Sequence, residues 1–247
     1  SALSWVYGYD TLDRLTSAAK TGLSQTWTYD ANGNRLTEGG TASSTYTPAA
    51  ASNLLSSISG AISRTYGYDN AGNTTSFAGR TFTYNDAGRL VSTTASSVTT
   101  TMEYNALGQR VKKASPSGTR YFIYDESGHL VGDYDSGGTV WQEIVWFGDT
   151  PVAVLHNPGT GVELLYVHTD HLNTPRKLTR PSDNAVQWSW ESDPFGTTPA
   201  NVTASAQRCR AACSSSAGSG APVSISRTPS ATSPLAPNAS ISRCRFL

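Results

Sequence analysis

The chain has 247 residues and a formal net charge of zero, with only 15% charged and 10% aromatic residues and 22 glycines. This profile fits a turn-rich all-β protein and disfavours a helical enzyme. The zero hides an asymmetry: all 18 acidic and 13 of the 18 basic residues lie at or before Asp193, and the other five, all arginines, follow it. The body is mildly acidic and carries no electrostatic footprint for nucleic acid.

The chain opens on a phrase that returns: aromatic, any residue, Tyr, Asp or Asn, two residues, Gly, polar, polar, apolar. It stands first as Tyr7-Gly-Tyr9-Asp10-Thr-Leu-Asp13-Arg14-Leu15 and next as Trp27-Thr-Tyr29-Asp30-Ala-Asn-Gly33-Asn34-Arg35-Leu36. Further copies carry Tyr68-Asp69 with Gly72, Tyr84-Asn85 with Gly88, Tyr104-Asn105 with Gly108, and Tyr124-Asp125 with Gly128. Successive tyrosines are 20, 39, 16, 20 and 20 residues apart. The long gap holds a worn copy at Tyr46 to Leu54, and a weak further copy starts at Tyr134-Asp135.

A period near 20 suits two strands and two turns. Trp27-Thr28-Tyr29 puts both aromatics on one strand face. Asp30 caps the turn, Gly33 takes a positive φ, and Asn34-Arg35-Leu36-Thr37 returns as the second strand of a bulged hairpin. No window of a dozen residues holds helical apolar spacing. Tyrosines repeated in register predict cross-strand ladders; the competing reading is a stacking platform for carbohydrate.

From Val140 the pattern changes. Val140 to Phe147, Val152 to Leu155 and Leu164 to His168 read as strands. Then come His168-Thr-Asp170-His171-Leu172-Asn-Thr174-Pro175-Arg176 and Trp188-Ser-Trp190-Glu-Ser-Asp193-Pro194-Phe195-Gly196. The first cluster has ligand-type residues but no third or fourth metal ligand, so it reads as a hydrogen-bonded turn in which Asp170 and Asn173 bond backbone amides. Asp193 stands in a turn without the second carboxylate that a protease acid uses. No phosphate-loop, nucleophile-elbow or zinc-protease phrase occurs. The reading is no catalytic residue, no cofactor and no metal.

Taken together, the aromatic-Tyr-Asp repeats, His-Thr-Asp-His-Leu-x-Thr-Pro-Arg and Trp-x-Trp…Asp-Pro-Phe-Gly resemble the Rhs (YD-repeat) family over about residues 5 to 198. The resemblance implies part of a spiralling β-shell, similar to the teneurin YD shell, that is not itself an enzyme. It implies a shell that encloses a C-terminal toxin as cargo and works with a secretion apparatus in competition between bacteria. The parent would then be secreted or displayed at the cell surface. The alternative is a surface adhesion or carbohydrate-binding module.

Past Asn201 the chain departs from that family. Residues 202–247 contain no Asp, Glu, Lys, Trp or Tyr, and hold all three cysteines, Cys209, Cys213 and Cys244. The expectation is a disordered low-complexity tail, with a change of reading frame preferred as its origin. The division is thus 1–139 YD-repeat sheet, 140–201 core-associated β segment and 202–247 tail. The absence of a starting Met and the opening inside a repeat suggest a piece of something longer. No apolar run approaches the length of a membrane span. An isolated piece with unpaired edge strands is expected to be poorly soluble.

Overall fold

The computed structural model describes residues 5–157, 159 and 161–203. The tail expected over 202–247 lies, past Thr203 and with its three cysteines, outside the described residues. Among the described residues the chain carries 20 strands and no helix. The all-β hairpin architecture expected from the repeat is the one the chain adopts. Two compact units divide it, residues 1–101 and 102–247.

The first unit holds β1 (Val6–Tyr9), β2 (Leu15–Lys20), β3 (Leu23–Tyr29), β4 (Arg35–Gly39), β5 (Ser44–Pro48), β6 (Leu55–Gly60), β7 (Arg64–Tyr68), β8 (Thr74–Phe77), β9 (Arg80–Tyr84) and β10 (Leu90–Ala95). β11 (Val98–Tyr104) begins in it. Each strand pairs antiparallel with the next, from β1–β2 through β10–β11. One face buries Ala18, Trp27, Tyr46, Ile58 and Phe77. Strand alternation sends the intervening residues to the other face.

That other face is a lattice of hydroxyls. Thr28, Thr37, Thr45 and Ser59 stand opposite one another across β3 to β6. Ser76, Thr81, Thr94 and Thr99 do so across β8 to β11, and Thr83, Ser92 and Thr101 across β9 to β11. Cross-strand hydroxyl pairs close at Thr28–Thr37 (2.6 Å) and Thr94–Thr99 (2.8 Å). Threonine suits this place because its branched Cβ favours strands and its hydroxyl stays hydrated.

The second unit holds β12 (Arg110–Ser115), β13 (Gly118–Tyr124), β14 (Leu130–Asp135), β15 (Val140–Phe147), β16 (Thr150–His156), β17 (Glu163–Thr169), β18 (Pro175–Thr179), β19 (Val186–Ser189) and β20 (Asn201–Val202). These too pair antiparallel in sequence, from β12–β13 through β19–β20. Its core is Phe122, Leu130, Ile144, Val154, Leu165, Leu178, Trp188 and Trp190. Val154 and Leu165 are fully buried, each contributing about 1.5–3 kcal/mol of hydrophobic stabilisation.

Candidate functional site

In a meander, every connection from an odd to an even strand lies at the same end of the sheet. The six clear Tyr-Asp and Tyr-Asn phrases supply such connections, so within each unit they form a row along one end, whereas the weak copy at Tyr134-Asp135 joins β14 to β15 at the other end.

The turns share one geometry. The Asp30 N–H donates to the Asn34 carbonyl at 2.9 Å, and the Gly33 N–H donates to the Asp30 carbonyl at 3.2 Å. The same pair of bonds recurs at Asp10, Asp69, Asn85, Asn105 and Asp125. The side chain completes the turn: Asp30 Oδ1 accepts from the N–H groups of Asn32 (2.9 Å) and Asn34 (2.8 Å), and Oδ2 accepts from Asn34 Nδ2 (2.8 Å). Asp69 repeats all three bonds with Ala71 and Asn73. Asn85 and Asn105 keep the acceptor for the N–H of Arg89 and Gln109 respectively, each at 2.9 Å. Glycine sits where φ is positive: 85° at Gly33, 80° at Gly72, 67° at Gly88, 79° at Gly108 and 87° at Gly128. In the first copy Asp13 takes this place at φ 57°.

At Tyr29, Tyr68 and Tyr124 the tyrosine before the turn ties its hairpin to the preceding one. The Tyr29 hydroxyl donates to the Leu15 carbonyl (2.7 Å), Tyr68 to Leu55 (2.9 Å) and Tyr124 to Arg110 (3.1 Å). Each acceptor opens the strand after the previous turn. Tyr9, Tyr84 and Tyr104 end β1, β9 and β11 at the matching strand position. The strand slips register just there, between Gly8 and Tyr9, Thr28 and Tyr29, Gly67 and Tyr68, and Ile123 and Tyr124. These are the bulges expected of the hairpin.

The residue after the glycine position reaches sideways to the following turn. Arg14 Nη1 donates to the Asp30 carbonyl (2.7 Å), and Asn34 Nδ2 to Asn53 Oδ1 (2.9 Å). Arginines also lie over aromatic rings: Arg35 over Tyr46 at 4.2 Å, Arg110 over Phe122 at 4.6 Å and Arg176 over Trp190 at 5.2 Å.

The turn carboxylates are held in their charged form. Asp30 titrates below the usual carboxylate range, first because of the Asn34 side-chain bond and then its backbone bonds. Asp69 does so through Asn73, and Asp10 through the backbone N–H of Arg14. At Asp170 burial pushes upward, but the amides of Thr174 and Leu172 with Arg176 outweigh it and the net shift is downward.

The two long motifs of the second unit turn out to be the same device. Asp170 Oδ1 accepts from the N–H of Leu172 (2.9 Å) and Thr174 (3.0 Å), while Oδ2 accepts from Arg176 Nε (3.0 Å). Asn173, at φ 58°, takes the glycine position, and its side chain bonds Thr150 and the Asp149 carbonyl rather than an amide. His168 Nε2 lies 2.8 Å from Thr179 Oγ1, His171 and Leu172 are exposed in the turn, and Pro175 opens β18. At Asp193-Pro194-Phe195-Gly196, the Gly196 N–H donates to the Asp193 carbonyl (3.0 Å) with φ 75°. Asp193 accepts from the Thr197 N–H at 2.6 Å and from the Thr197 hydroxyl. Among the described residues, no three His, Cys, Asp or Glu side chains gather as a metal centre.

Sequence reasoning set these motifs apart because the flanking aromatics differ. Thr169 and Ser192 stand where the tyrosine would precede Asp170 and Asp193. Trp146 Nε1, ahead of the Asp149 turn, donates to the Leu130 carbonyl (2.9 Å), and Trp190 Nε1 donates forward to the Thr198 carbonyl (2.8 Å). The signal that unites them is Asp, two residues, Gly or Asn, then Thr.

The Teneurin YD-shell family model matches residues 1–201. The chain belongs to that family. No curated protein matches it. Among solved structures, this YD-shell chain is similar to a mutant Tc holotoxin pore of Photorhabdus luminescens, at 13% identity over 78% of this chain and 18% of that one, with a TM-score of 0.37. It is similar to a TcdB2-TccC3-Cdc42 structure at 12% identity, covering 78% and 17% of the two chains, with a TM-score of 0.36. It is also similar to TcdB2-TccC3 without its hypervariable C-terminal region, at 13%, 83% and 17%, with a TM-score of 0.35. The YD-shell chain thus spans less than a fifth of the length of each.

Proposed function

We propose that this chain is a segment of container wall in an Rhs/YD-repeat protein of the polymorphic-toxin type. In this reading residues 1–139 and 140–201 are successive stretches of one spiralling shell that encloses a C-terminal toxin and helps deliver it, without catalysis of its own. The parent protein is secreted or displayed at the cell surface and meets a secretion apparatus. Among the described residues, no helix is long and apolar enough to cross a membrane.

The observation that carries the reading is where the repeat's polar chemistry goes. The Tyr29, Tyr68 and Tyr124 hydroxyls bond backbone carbonyls of the preceding hairpin, and the Asp30 and Asp69 carboxylates bond their own turns. These groups serve sheet continuity, and a continuous sheet satisfies its backbone without offering gaps to water or protease. The half-buried tyrosines also make poor stacking platforms for sugars, which favours the wall over the carbohydrate-binding alternative.

The test uses the parent protein with its cargo in place. Protease should spare the cargo until the wall is weakened by joint Tyr29→Ala, Tyr68→Ala and Tyr124→Ala substitutions. Cargo cut equally fast in the unsubstituted protein would refute enclosure. Tight binding to a neutral polysaccharide by the unsubstituted protein would favour the adhesive reading instead.

A further inference from the structure

One turn in the second unit is built differently from the others. At the position filled by Arg14, Asn34 and Asn73 in earlier copies stands His129, and both of its ring nitrogens face a carboxylate. Nδ1 lies 2.9 Å from Asp125 Oδ2 in its own turn, and Nε2 lies 2.9 Å from Asp149 Oδ1 in the turn joining β15 to β16.

We propose that His129 is a protonated clasp that ties the β13–β14 turn to the β15–β16 turn, and that loss of its proton releases the second turn.

A neutral imidazole has one N–H donor and one lone pair, so it can satisfy only one of the two carboxylates and sets its lone pair against the other. Only the imidazolium donates to both. The surroundings suit a cation. The Trp146 ring stacks on the imidazole with centroids 4.5 Å apart and planes 20° apart, and the indole is itself fixed by its bond to the Leu130 carbonyl. The charged groups facing the ring are Asp125 from its own turn and Asp149 from the next. The side chains nearest from the flanking turns are neutral: Gln109 beside Gly128, and Asn173 on the Asp149 carbonyl.

The two carboxylates are not equivalent. Asp125 is anchored, its Oδ1 accepting the His129 N–H at 2.8 Å. The Asp149 side chain is 89% exposed, so it is the arm free to leave. The Asp125 bond first, and the Asp149 bond second, raise the affinity of the ring for its proton above the ordinary value of 6.5. The clasp is therefore fully formed below about pH 6.5 and is lost as pH rises through the higher folded value.

The test is nitrogen-resolved NMR of the histidine ring in the full chain, with hydrogen exchange at residues 148–150. Both ring nitrogens should carry protons at pH 6. Asp149→Asn, a change at an exposed site, should lower the ring's titration midpoint. Across that midpoint, exchange protection in the 148–150 turn, corrected for intrinsic rates, should fall about tenfold in the unsubstituted chain and stay flat in His129→Gln. One unprotonated ring nitrogen at pH 6, a midpoint unmoved by Asp149→Asn, or protection that ignores pH would each overturn the clasp.

Discussion

The Tyr29 hydroxyl donates to the carbonyl of Leu15, 14 residues earlier in the chain, at 2.7 Å. Burial pushes this phenol above its ordinary titration range, so it stays protonated and able to donate. Tyr29→Phe keeps the ring and loses the bond, at a cost of about 1 kcal/mol. Urea unfolding should show that loss, while Thr28→Ala on the exposed face should cost less. Equal effects would mean the hydroxyl bond contributes nothing.

Gly33 stands at φ 85° with open space where a Cβ would go. The obstacle to a side chain is thus backbone conformation alone. Gly33→Ala should destabilise by about 1–2 kcal/mol. Gly33→Asn should cost less, because asparagine tolerates this region and Asn173 occupies it at φ 58°. Thermal unfolding of the two variants decides the order; alanine matching asparagine would contradict it.

The depressed carboxylates give the fold an acid limit. Asp10, Asp30 and Asp69 titrate below their unfolded values, so their contribution is present above about pH 4 and is lost as pH falls through the folded values. Circular dichroism from pH 7 to pH 2 should show unfolding over that acid range. Joint Asp30→Asn and Asp69→Asn should flatten the pH dependence and keep the turns, since Asn85 and Asn105 already serve in this role. An unchanged acid profile would count against the carboxylates as its source.

Leu165 is fully buried in the second unit among Val154, Leu178 and Trp188. Leu165→Ala should cost about 2–5 kcal/mol, according to how far its neighbours collapse. Chemical denaturation would measure this, and a loss under 1 kcal/mol would mean the site refills.

The hairpin unit was legible because its parts are local. Alternation of Trp27, Thr28 and Tyr29, the Asp30 cap and the Gly33 turn are all decided within a few residues, and physics acting at that range leaves its mark in a repeat. The partner of the Tyr29 hydroxyl was not legible, since a carbonyl acceptor has no residue identity. The kinship of the Asp170 and Asp193 turns with the repeat was hidden by the loss of the tyrosine, whose place before the aspartate is taken by Thr169 and Ser192. The His129 clasp depends on Asp149, 20 residues away, and only strand register brings the two together.

The three tyrosine-to-carbonyl bonds run toward the start of the chain: Tyr29 to Leu15, Tyr68 to Leu55 and Tyr124 to Arg110. A hairpin leaving the ribosome therefore finds its acceptor in a hairpin already made, and none of these bonds waits for chain not yet synthesised. The bonds thus permit the sheet to grow in the direction of translation, like courses of brick each laid on the one beneath. An error in one repeat then misplaces the seat of the next, so damage near the amino terminus propagates further than the same damage near the end.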